Sequence, residues 1–161
     1  MRPGYSALKA NHYSSTPGND NYRTGNAVFS EIGIDLAALM KDNRAYENTC
    51  AVRMSIALLK CKVVFEGRMK IKSGAFKGLK IEPGAKLLAD ALSKSTFGKP
   101  KYLSPATAPK EIGTKKGLVF FDRVIGYGGG HIDLIEPQSN TQVCHSDCYF
   151  VCKEVWFWEL A

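Results

Sequence analysis

Two residues in this sequence are placed to do nucleophilic chemistry together, Cys50 and His131. Cys50 follows Asn48 and Thr49, both good helix N-caps, and opens CAVRMSIALLK, a run apolar nearly all the way round. A capped start puts the thiol in the first helical turn, where free backbone N–H groups and the helix dipole favour an anion, here the thiolate. A small buried hydrophobe would fill the same position equally well. His131 opens HIDLIE directly after Gly128-Gly129-Gly130. The glycines remove side-chain bulk beside the imidazole, which suits a general base that a substrate backbone must approach. The plain alternative is a surface histidine at a loop end. GYGGG lacks the following Lys-Ser/Thr and helix of a phosphate-binding loop.

A base of this kind needs a third group to orient its ring. Strand alternation puts Asp133 on the same face as His131, with Ile132 and Leu134 pointing the other way. In papain-like enzymes the orienting residue comes from the next strand, which brings in Gln142 and Asp147 beyond the PQSNT turn. The residues alone leave the three open. Cys144 and Cys148, with His145 between them and Cys152 beyond, match no common zinc pattern because no second ligand pair stands at standard spacing. A short-loop disulfide between Cys144 and Cys148 is the better reading, and its job would be to fix the turn carrying Asp147. With five cysteines, at least one thiol lies outside any internal disulfide. Cys61 and Cys152 are expected to be buried and inert.

The elements that must position these groups follow from hydrophobic spacing. A short helix is expected over Tyr5 to Tyr13, then a loop through SSTPGNDNYRTGN. Val28, Ile32, Leu36 and Leu39 have helical spacing interrupted at Gly33. The helix from Cys50 is apolar on all sides and therefore central. Val63 to Ile71 reads as a strand, AKLLADALSK as an amphipathic helix after Pro83-Gly84, and FGKPKYLSPATAPKEIGTKK as a long surface loop. GLVFFDR, HIDLIE and CYFVCKEVWFWEL read as strands. Helices first and an antiparallel sheet after them make an α+β fold, and 161 residues fit a single catalytic domain spanning 1–161.

Composition bounds the function. Hydrophobic residues make up 45% and charged residues 23%, an ordinary globular balance. No apolar stretch is long enough to cross a membrane, so no membrane insertion is expected. The start, MRPGYSALKANHYSS, has no apolar signal core, so the chain is expected to stay in the cytoplasm or leave by a route that reads no signal peptide. A net charge of +7 favours an anionic partner such as nucleic acid, an acidic membrane or the bacterial wall. The basic residues are spread rather than clustered, and no nucleic-acid-reading motif accompanies them, so no nucleic acid is expected.

ENTCAVRMSIALLK, followed by GGGHIDLIE and a Cys-x3-Cys turn containing an Asp, closely resembles type VI secretion amidase effector family 4, from the opening RPGYSAL to the Trp-rich end. The resemblance implies a papain-like, NlpC-type fold, with N-terminal helices packed on a mainly antiparallel sheet. It implies a cysteine peptidase that hydrolyses the γ-D-glutamyl–meso-diaminopimelate bond of peptidoglycan stem peptides, without metal or cofactor. It further implies synthesis in the cytoplasm, export by the type VI secretion apparatus without a signal peptide, action in the periplasm of target bacteria, and a cognate immunity protein. Cys50 carries over as nucleophile, His131 as base, and Cys144–Cys148 as a bridge that forms in an oxidising compartment. The family's orienting Asp lies between the two late cysteines, which assigns Asp147 by placement. Asp147 stands directly before Cys148, whereas the family's Asp lies nearer the middle of the bridge, so Asp133 and Gln142 stay open. Two rival readings are a non-enzymatic wall- or polyanion-binding module using exposed Trp156 and Trp158, and a Cys-His acyltransferase or peptidase of other substrates.

Overall fold

A computed structural model describes all 161 residues. The first third is helical: α1 (Tyr5–Asn11), α2 (Gly25–Glu31), α3 (Leu36–Asp42), a 3-10 turn (Arg44–Glu47) and α4 (Cys50–Lys60). Two short strands, β1 (Met69–Lys70) and β2 (Lys80–Ile81), pair antiparallel and lead to α5 (Ala85–Lys94). Then follow β3 (Lys101–Leu103), α6 (Ala108–Ile112), β4 (Gly117–Asp122), β5 (His131–Gln138), β6 (Thr141–Cys144) and β7 (Glu154–Glu159). The five later strands form one antiparallel sheet in the order β3-β7-β4-β5-β6.

Gly33, at φ 75°, separates α2 from α3, and a Cβ there would come within 2.5 Å of Ser73 Oγ. Thr24 Oγ1 accepts from Ala27 N–H at the start of α2, and Asp35 Oδ1 from Ala38 N–H at the start of α3. Each cap satisfies a backbone donor that the helix itself cannot pair. In α4 every residue from Cys50 to Leu58 is buried, Arg53 and Ser55 included, as expected of a central helix.

Strand alternation divides the core between the two faces of the sheet. Leu118, Phe120, Ile132, Leu134, Trp156 and Trp158 pack against Leu8 of α1, Ala51 and Met54 of α4, and Leu88 and Leu92 of α5. Val119, Phe121, Ile135, Val155 and Phe157 form the second core with Leu103, Ala108, Ile112 and Cys152. Both tryptophans are buried, at 7% and 0% exposure, so the exposed aromatic pair that a wall-binding module would use does not exist.

Three expected elements differ. Val63 to Ile71 is strand only at Met69–Lys70, because Gly67 sits against the backbone of Ile81, where a Cβ would lie 2.5 Å from the Ile81 carbonyl oxygen. The expected surface loop from Phe97 contains edge strand β3 and helix α6, whose Ala108-Pro109 start supplies a proline in the first turn. The last strand begins at Glu154 rather than Cys148, since Cys148 is tied back to Cys144.

Candidate active site

Cys50 is the first residue of α4 and is 8% exposed. The lead into it is an Asn-based turn: Asn48 Oδ1 accepts the Cys50 N–H at 3.2 Å, and Asn48 Nδ2 donates to the Gly130 carbonyl at 3.2 Å. One carboxamide thus ties the helix start to the residue before His131. Thr49 does not cap through its side chain; its Oγ1 accepts from Arg53 Nε at 2.7 Å. Cys50 Sγ lies 4.0 Å from the Gly130 carbonyl oxygen.

His131 opens β5, opposite Phe121 of β4, and is 7% exposed. Its ring stacks on Phe121, with centroids 6.2 Å apart, and meets the edge of Tyr149 at 4.9 Å. The glycines before it do two different jobs. Gly128, at φ 82°, has open space around it, whereas a Cβ on Gly130 would come 2.6 Å from the Phe120 ring. The first takes a backbone conformation that a side chain would strain; the second lets the strand start close onto the sheet.

His131 Nε2 is 2.8 Å from Asp133 Oδ2, and Asp133 is fully buried. The carboxylate also accepts three backbone N–H groups: Leu134 on Oδ1 at 2.8 Å, and Ser146 and Asp147 on Oδ2 at 3.0 Å each. Burial works against the charge of both partners. It is outweighed at His131 by the bonds to Asp133 and to Cys50 and by their negative charges, which raise the imidazole to about 10. At Asp133 burial is outweighed by the bond and charge of His131, then by His12 and the Leu134 N–H, which hold the carboxyl below its usual range. With Nε2 engaged by Asp133, the ring nitrogen left for Cys50 is Nδ1.

Asp147 does not take the place assigned to it by the resemblance. Its side chain is exposed, and what reaches the site is its backbone N–H, donated to Asp133. The turn after β6 presents its main chain, not its carboxylate, to the interior. Gln142 is elsewhere, with Nε2 donating to the carbonyls of Pro109 at 2.6 Å and Gly113 at 3.0 Å. The group on the imidazole is Asp133, two residues on along the same strand face. Cys144 and Cys148 are disulfide-bonded. Cys152 is buried and Cys61 only half-buried, and burial pushes both thiols up. The Cys50 N–H is occupied by Asn48 Oδ1.

Residues 46–158 match the family described as type VI secretion system amidase effector protein 4. The chain belongs to this family. The amidase effector fold is also that of several solved structures. The effector–immunity complex Tae4–Tai4 from Salmonella Typhimurium has 19% identity and a TM-score of 0.64, covering 100% of both chains. The Salmonella typhimurium effector in complex with the immunity protein of Enterobacter cloacae has 21% identity and a TM-score of 0.65, covering 99% of this chain and 100% of that one. The Enterobacter cloacae effector crystallised alone has 20% identity and a TM-score of 0.55, covering 100% and 98%. No curated protein matches in sequence. This amidase effector therefore has the α+β, papain-like architecture of its relatives, and no helix long and apolar enough to cross a membrane.

Proposed function

We propose that this amidase effector is a cysteine peptidase that hydrolyses the γ-D-glutamyl–meso-diaminopimelate bond of peptidoglycan stem peptides, with Cys50, His131 and Asp133 as its catalytic groups. The observation that carries the reading is the buried His131–Asp133 pair at 2.8 Å, with Cys50 Sγ 4.0 Å from the carbonyl oxygen of Gly130, the residue before His131. Asp133 holds the ring through Nε2 and stabilises its cationic form, so that Nδ1 faces the thiol.

Cys50 gives its proton to His131, and the thiolate attacks the γ-glutamyl carbonyl to form a C–S bond. The carbonyl oxygen gains the negative charge and recruits the Cys50 N–H, which Asn48 Oδ1 accepts in the free protein. As the C–N bond breaks, His131 protonates the departing diaminopimelate amine. Water, deprotonated by His131, then attacks the thioester and releases the D-glutamate carboxyl and the Cys50 thiol. The aromatic surroundings of Phe121 and Tyr149 and the low exposure of all three groups keep bulk water off the ion pair.

The wider reading has one catalytic domain over 1–161, made in the cytoplasm, delivered by the type VI apparatus and acting in the periplasm of target bacteria. A cognate immunity protein would cover the cleft in the producer; the Salmonella and Enterobacter relatives crystallised with such a partner support this.

Mass spectrometry of purified Gram-negative peptidoglycan, digested with wild type and with Cys50→Ala, tests the reaction. Fragments ending at D-glutamate are expected only with wild type. Identical digests from both folded proteins would falsify the hydrolase reading.

A further inference from the structure

Apart from the His131–Asp133 pair, the fold buries a pair of imidazoles that the reaction does not use. His12, the C-cap of α1, is 1% exposed and His145, just past β6, is 7% exposed; their Nδ1 atoms are 2.7 Å apart. His145 Nε2 lies 2.8 Å from the Asp20 carbonyl oxygen. A carbonyl only accepts, so His145 carries its proton on Nε2. Burial holds His12 down at about 3 and lowers His145 as well, so both rings are neutral at pH 7. The Nδ1 of His145 is then the acceptor, and His12 Nδ1–H the donor. The charges of Asp133, His131 and Arg53 act on His12, and those of Asp133, Lys9 and Asp20 on His145.

The backbone of His145 is gripped from both sides. Its N–H donates to the Leu134 carbonyl at 2.9 Å, and its carbonyl accepts from Ser14 Oγ at 2.6 Å and Asn19 Nδ2 at 2.8 Å. Thr16 Oγ1 donates to the Ser146 carbonyl at 2.8 Å. The next two N–H groups, of Ser146 and Asp147, are those that bind Asp133 Oδ2. Residues 12 to 19 therefore hold one side of a turn whose other side holds the carboxylate on His131. They lie outside the stretch that matches the family.

We propose that the His12–His145 pair is a positioning unit for His131, acting through the Ser146 and Asp147 N–H groups on Asp133. It rests on the Cys50–His131–Asp133 reading and adds the N-terminal segment to the working parts of that site. A shift of a few tenths of an ångström in the turn loosens two of the four bonds that fix Asp133, and the imidazole then loses its alignment and its partner's charge.

The test compares His12→Leu, which removes the donor, with His12→Asn, whose amide nitrogen can stand where Nδ1 stood. The readouts are the titration midpoint of 15N-labelled His131 and steady-state hydrolysis of a purified stem tetrapeptide. For His12→Leu the His131 midpoint is expected to fall by about one pH unit. Its kcat should drop by about tenfold, with KM held within about twofold. His12→Asn should recover most of both. A folded His12→Leu with an unchanged His131 midpoint, or a His12→Asn as impaired as His12→Leu, overturns the proposal. If His12→Leu does not fold, the wild-type 15N spectrum decides: Nδ1–H at His12 and Nε2–H at His145 are required, and any other tautomer pair sinks it. A wild type that titrates normally but leaves stem peptide intact would count against the hydrolase reading alone, since the titration needs no substrate.

Discussion

At the scale of single residues, the site turns on which carboxylate serves His131. Asp133 and Asp147 both touch the arrangement, but through different atoms. Asp133 offers a buried carboxylate to the imidazole, whereas Asp147 offers only its main-chain N–H. Asparagine at 133 keeps the shape and loses the charge that favours the imidazolium, so Asp133→Asn should lower kcat by about 10²- to 10⁴-fold. Asp147→Ala retains the N–H and should cost less than about threefold. Stem-peptide hydrolysis by the two variants separates the assignments: a crippled Asp147→Ala beside an active Asp133→Asn would return the role to the turn. Sequence reasoning singled out Cys50 and His131 and put Asp133 on the short list for the third group, because strand alternation alone places it on the same face as His131. It could not choose within that list. Whether a turn presents its side chains or its main chain inward depends on φ and ψ over a few residues, which spacing does not encode.

At the scale of elements, the turn closed by Cys144–Cys148 and the strand start behind Gly130 hold the groups together. The bridge spans a loop of sequence separation four, so its chain-entropy contribution to stability is small, at most about 2 kcal/mol. Its effect on rate is larger, because Ser146 and Asp147 lie inside the loop and donate to Asp133. Reduction with dithiothreitol, or the Cys144→Ser/Cys148→Ser pair, should leave a folded protein whose melting temperature falls by several degrees and whose kcat falls at least tenfold. A reduced protein with undiminished kcat would show that the bridge serves stability alone. Gln142 gives the opposite pattern. Its side chain satisfies the Pro109 and Gly113 carbonyls of α6, far from the chemistry in role, so Gln142→Ala should lower unfolding free energy by about 1–2 kcal/mol with the rate unchanged. Chemical denaturation paired with the peptide assay reads both.

The long elements were legible because their periodicity is long: α4, α5 and the strands β4 and β5 lie where hydrophobic spacing puts them, and Gly33 divides α2 from α3 as its position suggests. Two of the misses share one cause. Strand β3 and helix α6 are three and five residues long, too short to show a period. They exist because β7 offers an open edge to β3 and the second core offers Ala108 and Ile112 a buried place. The N-terminal clamp was invisible for a related reason. His12, Ser14 and Asn19 read locally as polar loop residues, and only the tertiary approach of residue 145 gives them partners.

For the molecule as a whole, these buried groups set how stability depends on pH. His12 is held at about 3, below the 6.5 of a free imidazole, by burial first. Below pH 6.5 the unfolded chain binds a proton that the folded one refuses. His12 therefore contributes stability above pH 6.5 that is lost as pH falls toward 3, at a limiting slope of about 1.4 kcal/mol per unit. Asp133, held below its usual range, adds to the loss at the acid end. His131 acts in the other direction. Raised to about 10, it binds a proton in the folded state that the unfolded chain has released, so its contribution is complete below pH 6.5 and disappears as pH climbs toward 10. The two histidines together predict a dome, steep on the acid side and declining on the alkaline side, with its top near neutrality. Urea denaturation at one-unit intervals from pH 4 to 10 measures it. His12→Asn should flatten the acid limb and spare the alkaline one, while Asp133→Asn, which removes the charge that raises His131, should flatten the alkaline limb. If the alkaline limb survives in Asp133→Asn, then His131 does not owe its raised affinity for the proton to Asp133, and the pairing on which the proposed chemistry depends is wrong.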